Sequence, residues 1–157
     1  MRTIRVTGIG DITIKPDMTR LDISVEGFAV EYGETLRISA EETEQLRDLL
    51  TTLGFERTDL KTLSFSVDPE FDHYKEDDVY KKILIGYVYS HSMKIEFPLD
   101  NDRLGKIMFA LASAVPANPE FRISYFVKDE KAARNELLGK AVIDAREKAV
   151  SLTQAAV

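Results

Sequence analysis

Two histidines and a run of acids are the groups best able to do chemistry in this chain. Asp68, Glu70 and Asp72 stand at the 1,3,5 spacing with which a calcium loop offers oxygen ligands to one cation. The match then stops. His73 stands where such a loop needs its glycine, and Val79 where it needs a closing glutamate. The run therefore reads as a solvated loop or hairpin tip, with weak, nonspecific cation binding as the alternative. A zinc centre wants three or four ligands, usually His or Cys. The sequence offers only His73 and His91, on separate segments, and no Cys, so no metal site is expected. Ser90 and Ser92 flank His91, but neighbours on a strand point to opposite faces, and there is no G-x-S-x-G. His91 reads instead as a packing residue beside Tyr89 and Met93.

Gly8-Ile9-Gly10 invites a phosphate loop, yet the third glycine is missing and a strand pattern follows where a helix should. These glycines fit a bulge or bend between strands. The aromatic set Phe65, Phe71, Tyr74, Tyr80, Tyr87, Tyr89 and Phe97 could stack on a single strand of nucleic acid only with interleaved positive charge. Lys75, Lys81, Lys82 and Lys94 lie near it, beside the loop acids. Strand-face packing is the expectation, with a tyrosine-rich protein contact as the alternative. No catalytic residue, cofactor or metal ligand is assigned, and the chain is not expected to be an enzyme.

Composition agrees with that reading. The 157 residues carry 21 basic and 27 acidic side chains, a net charge of -6, the wrong sign for a nucleic-acid groove. The absence of Cys excludes disulfides, thiolate metal sites and cysteine catalysis. No apolar run is long enough to span a membrane, and no leader pattern opens the chain. As written it reads as cytoplasmic, or as periplasmic if a leader has been removed.

The elements that must position these residues follow from periodicity. Ile4/Val6, Ile12/Ile14 and Leu21/Ile23/Val25 alternate with polar residues, predicting three strands with one wet face. Lys15-Pro16-Asp17 reads as a turn. Glu31 to Leu53 carries an apolar stripe of Leu36, Ala40, Thr43, Leu46, Leu49, Leu50 and Leu53, with Gly54 placed as a C-terminal cap. Leu63, Phe65 and Val67 alternate in a strand, and Ile83 to Phe97 forms a strand pair or one bent strand. A second helix covers Asn101 to Val115, with Pro116 and Pro119 enclosing the next connection. Phe121 to Val127 is a strand, and Glu130 to Ala156 a helix on which Ala141, Ala145 and Ala149 would allow close approach. The order β-β-β-α-β-β-α-β-α predicts an α+β domain: a mainly antiparallel sheet with helices on a face. The second half could form a separate lobe.

Several of these segments together resemble the SIMPL domain family, a bacterial family of unknown function. They are Val6-Thr7-Gly8-Ile9-Gly10 with Lys15-Pro16-Asp17, Leu53-Gly54-Phe55 with Asp59-Leu60-Lys61-Thr62, Asp68-Pro69-Glu70-Phe71, Gly86-Tyr87, and the helix Ala141 to Ala149. The resemblance covers nearly the whole chain. It implies a single SIMPL-like domain over 1–157 that lacks a C-terminal strand and so has an open sheet edge. It also implies homo-oligomers, some ring-like or channel-like, with exported members and links to oxidative stress. It carries no active-site residue over: Gly8 and Gly86 suit tight backbone positions, Pro16-Asp17 a turn, and Asp59 and Thr62 local backbone hydrogen bonds. The expectation is a non-enzymatic protein that self-associates or binds a protein partner, with no nucleic acid and no membrane span. The alternative is a small-molecule or metal-binding protein, or a hydrolase using loop Asp, Glu or His.

Overall fold

A computed structural model describes residues 2–114 and 119–157. Alternation gives β1 at Met18–Ala29, β2 at Lys61–Glu76, β3 at Val79–Pro98 and β4 at Glu120–Phe126. The helical periods give α1 at Tyr32–Thr52, α2 at Asn101–Ala114 and α3 at Glu130–Ala155. Val115 and Pro116, expected at the end of the second helix and after it, lie outside the described residues. The α+β class holds, in the order β-α-β-β-α-β-α. The two strands expected at Ile4–Val6 and Ile12–Ile14 are not formed, and no turn is formed at Lys15-Pro16-Asp17.

The chain divides into two compact units, Met18–Tyr125 and the paired ends Met1–Asp17 with Phe126–Val157. The division is therefore not between first and second halves: β3 and β4 both flank β1 in one sheet. In the central unit the strand order is β2-β3-β1-β4, the split βαβ arrangement of ferredoxin-like folds. One face of that sheet is apolar. Leu21, Ile23 and Val25 of β1 and Met93, Ile95 and Phe97 of β3 bury themselves against Leu46 and Leu50 of α1 and Leu104, Ile107 and Leu111 of α2. The end of α1 is closed by Gly54 at φ +92°. The Gly54 amide donates to the Thr51 carbonyl and the Phe55 amide to that of Leu50, a complete Schellman motif with Phe55 turned into the core.

Towards its start, α1 turns differently from the apolar stripe. Thr35 and Ser39 are buried against the sheet, whereas Leu36 and Ala40 are exposed. The Thr35 hydroxyl donates to the Glu31 carbonyl and that of Thr43 to the Ser39 carbonyl. The hydroxyls of Thr35 and Thr43 thereby satisfy themselves on their own helix, and that of Thr35 can be buried at little cost.

In the unit made of the chain ends, α3 begins at Asp129, whose carboxylate accepts the Ala132 amide at 2.9 Å. Gly8 and Gly10 lie on this helix. A Cβ on Gly8 would sit 1.9 Å from the Ala141 carbonyl oxygen and 2.8 Å from the Ala145 Cβ, and one on Gly10 would sit 2.6 Å from the Leu137 carbonyl oxygen. The two glycines thus serve a close backbone-to-helix approach, not a bulge between strands. The expected small-residue face of α3 is the surface they meet.

Candidate functional site

His91 lies on the helix-covered face of β3, 6% exposed. The Thr43 hydroxyl spends its proton on Ser39, so His91 Nδ1–H donates to Thr43 Oγ1 at 3.1 Å. Nε2 is then the acceptor for the Thr62 hydroxyl at 2.9 Å. Phe65 stands edge-on to the ring at 5.4 Å between centroids. Burial, and secondarily the Arg47 guanidinium, push the imidazole pKa below its ordinary value. The ring is neutral, oriented from both ends and wedged between α1 and β2. It forms the floor of a cleft of about 390 Å³ whose walls include Leu36, Ala40, Arg47 and Phe65. Both ring nitrogens are occupied by threonines, so the ring would have to surrender Thr62 before taking a proton from anything in the cleft.

The flanking serines do not join it. Ser92 lies on the opposite face, with its hydroxyl 3.4 Å from that of Ser24 across the β1–β3 pair. His73 is on the exposed outer part of β2, opposite Lys82. The structure therefore brings neither the two histidines nor the serines together. Thr62, expected to bond locally, is a long-range partner of His91. Asp59 does bond locally, accepting the Glu56 amide at 2.8 Å. Sequence reasoning missed Thr43 as a histidine partner, because a threonine on an apolar stripe carries no mark of what it will face.

Tyr89 is the second buried polar group of β3. Its ring lies over Gly27 of β1, where a Cβ would come within 2.4 Å of it, and its hydroxyl donates to the Glu42 carboxylate. Burial first, and then that carboxylate, raise the phenol pKa.

The acidic run is not a loop; of the two readings, the hairpin holds. It is the outer part of β2, paired with β3 up to a two-residue turn at Asp77 and Asp78, which have φ of 52° and 61°. Such left-handed pairs make the tight turn that suits a twisted hairpin. Asp68, Glu70 and Asp72 follow one another along an extended strand, so they do not converge on one cation. Among the described residues no group of three or more His, Asp and Glu side chains is placed to hold a metal.

The last residue of β3 to pair with β1 is Tyr87, opposite Ala29. From Glu70–Gly86 to Glu76–Val79, β2 and β3 run on as a two-stranded arm with no third strand among the described residues. The arm bends where Ile85 is bulged out between Gly86 and Leu84. Gly86 sits under β1, a Cβ there coming 2.5 Å from the Ala29 carbonyl oxygen. Along the arm Tyr80 is 81% exposed, Val79 55% and Ile83 54%.

The model of one protein family, SIMPL (protein of unknown function, DUF541), matches residues 4–157. The chain belongs to the SIMPL family. This SIMPL chain is also similar to the 26 kDa periplasmic immunogenic protein of Brucella melitensis, 28% identical over 154 residues. That match takes in 98% of the chain but 61% of the relative, so the chain spans about three-fifths of that protein's length. Among solved structures it is similar to CutA from Synechococcus elongatus at 14% identity and a TM-score of 0.30, over 81% of this chain and 92% of that one. It is also similar to the Bacillus subtilis GlnK–ATP complex at 13% identity and a TM-score of 0.37, over 70% and 84%. Among the described residues, no helix of this SIMPL chain is long and apolar enough to cross a membrane.

Proposed function

We propose that this SIMPL protein is a non-enzymatic module that works by associating with copies of itself. The observation that carries this reading is the β2–β3 arm. An isolated two-stranded ribbon is marginal in water, and this one also holds Val79, Tyr80, Ile83 and Leu84 in solvent. Exposed apolar side chains on both faces of such an arm suit an interaction site. The outer side of α3 supports the same reading, with Leu138 and Val142 more than half exposed. His91 supports the absence of catalysis, because its hydrogen bonds are spent on holding α1 to β2. Of the two compartments open to the sequence, the relative's name supports the periplasm. Sedimentation velocity at micromolar protein tests the reading: a species heavier than the 17.8 kDa chain is expected, and a strict monomer overturns it.

A further inference from the structure

β2 is an outer strand of its sheet, and the defences that keep such an edge from pairing are unevenly placed along it. Asp68, Pro69, Glu70, Asp72, Lys75 and Glu76 protect the outer part with charge and a proline. Thr62–Val67, Thr-Leu-Ser-Phe-Ser-Val, carries neither; its one irregularity is the bulge between Thr62 and Ser64, and Ser64–Val67 pairs regularly with β3. It has the high β-propensity, zero charge and missing proline of a segment that readily adds a strand. Its side chains are also unusually bare for that composition: Leu63 is 47% exposed and Phe65 43%. On the helix side, Phe65 stands beside Leu36 and Ala40 of α1 along the edge of the His91 cleft, so an added strand would find an apolar flank as well as a backbone edge.

We infer that Thr62–Val67 is the self-pairing edge of this protein. Two copies join their β2 strands antiparallel about a two-fold axis at Phe65, making one continuous sheet. The inference rests on the self-association reading above. Three features favour a second copy as the occupant. Antiparallel self-pairing is isologous, so one segment supplies both halves of the interface. Directly opposed residues share a face, so setting Phe65 against Phe65 of the second copy keeps both α1 helices on one side and places Ser64 opposite Ser66. The ends of the segment also differ in charge. Lys61 precedes it, Asp68 and Glu70 follow it, and none of the three makes an ion pair among the described residues. Antiparallel pairing brings each lysine end to an acidic end, whereas parallel pairing would set like charges together. An edge without charge or proline is thereby covered by the same six residues of each copy.

The test uses the lack of native cysteine. In the full chain, Phe65→Cys is oxidised mildly and run without reductant, beside Tyr80→Cys as the arm-tip control and wild-type sedimentation. The expected result is conversion of most Phe65→Cys chains to a covalent species of twice the chain mass, with Tyr80→Cys staying mostly single. Phe65→Lys, which sets two ammonium groups against each other at a half-exposed position, is expected to weaken association at least about tenfold while the chain still folds, as read by its circular dichroism. A wild-type monomer overturns both the self-association reading and the edge. A wild-type oligomer in which Phe65→Cys does not cross-link and Phe65→Lys still assembles overturns the edge alone. Cross-linking at Tyr80→Cys in place of Phe65→Cys moves the interface to the arm tip and likewise overturns it.

Discussion

The two compact units hold themselves together by different physics. The central unit buries whole apolar side chains: Leu21, Ile23, Leu46, Met93, Ile95, Ile107 and Leu111 are each 0% exposed. The unit made of the chain ends has no buried residue on α3. It relies on two missing side chains, Gly8 and Gly10, and on a few polar contacts. The Ile9 amide donates to Asp144 Oδ2 at 2.7 Å, and the Lys148 ammonium pairs with Asp144 at 2.7 Å and reaches the Thr7 carbonyl at 3.3 Å. Lys148 first, and then the Ile9 amide, hold the Asp144 carboxyl below the usual range. The comparison teaches that one fold can use burial where area is available and backbone complementarity where it is not. The first is roughly proportional to area, while the second depends on single atoms.

The contrast can be broken from either side. Ile95→Ala leaves a hole in the central core and is expected to cost about 2–5 kcal/mol, read as a lower denaturant midpoint. Gly8→Ala adds one methyl that meets the Ala141 carbonyl and is expected to cost ~1–3 kcal/mol as overpacking. It should act locally: amide exchange at Ile9 speeds up while exchange across β1 and β3 keeps its wild-type rate. If Gly8→Ala instead lowers protection in both units alike, the two are one cooperative body and the contrast fails. Thr62→Val strips Nε2 of His91 of its donor and is expected to cost ~1–3 kcal/mol, with fluorescence- or dichroism-detected melting as the check.

The same site predicts a pH dependence confined to the central unit. His91 is held neutral with its pKa lowered from the ordinary 6.5, so below that pH the unfolded chain binds the proton more readily than the fold. Stability should therefore be flat above that pH and fall as the pH drops below it, and His91→Gln should flatten this fall. The smallest effect is expected at Arg37, whose pairs with Glu34 and Glu41 lie on the exposed face of α1. Arg37→Ala should leave the melting temperature unchanged within error.

How much of this was legible in sequence depends on the range of the forces involved. α1 was read at Glu31 to Leu53 and runs Tyr32–Thr52 between those two caps, because a 3.6-residue stripe and a capping glycine are local facts. The alternation of Tyr87, Tyr89, His91, Met93, Ile95 and Phe97 puts all six on one face of β3; the last five are buried and Tyr87 is half-buried. The alternation of Leu63, Phe65 and Val67 predicts a shared face. The irregular register between Thr62 and Ser64 sends Leu63 to the cleft with Arg20 and Arg122 and Phe65 to the one with His91. A bulge is a property of two strands, so one strand's pattern does not contain it.

The sequence by itself determined the class of the fold, the extents of α1 and α3, the buried faces of β1 and β3 and the absence of cysteine, because each depends on near neighbours or on a count. Only the tertiary structure decided what the special residues meet. It gave His91 to Thr43 and Thr62, Gly8 to Ala141, and the Ile9 amide to a carboxylate 135 residues away. It also turned the alternating segments near the start towards a helix, and left Thr62–Val67 at the rim of its sheet. Alternation records only that one side of a segment will be covered. What covers it is chosen by whichever surface the rest of the chain brings within van der Waals reach.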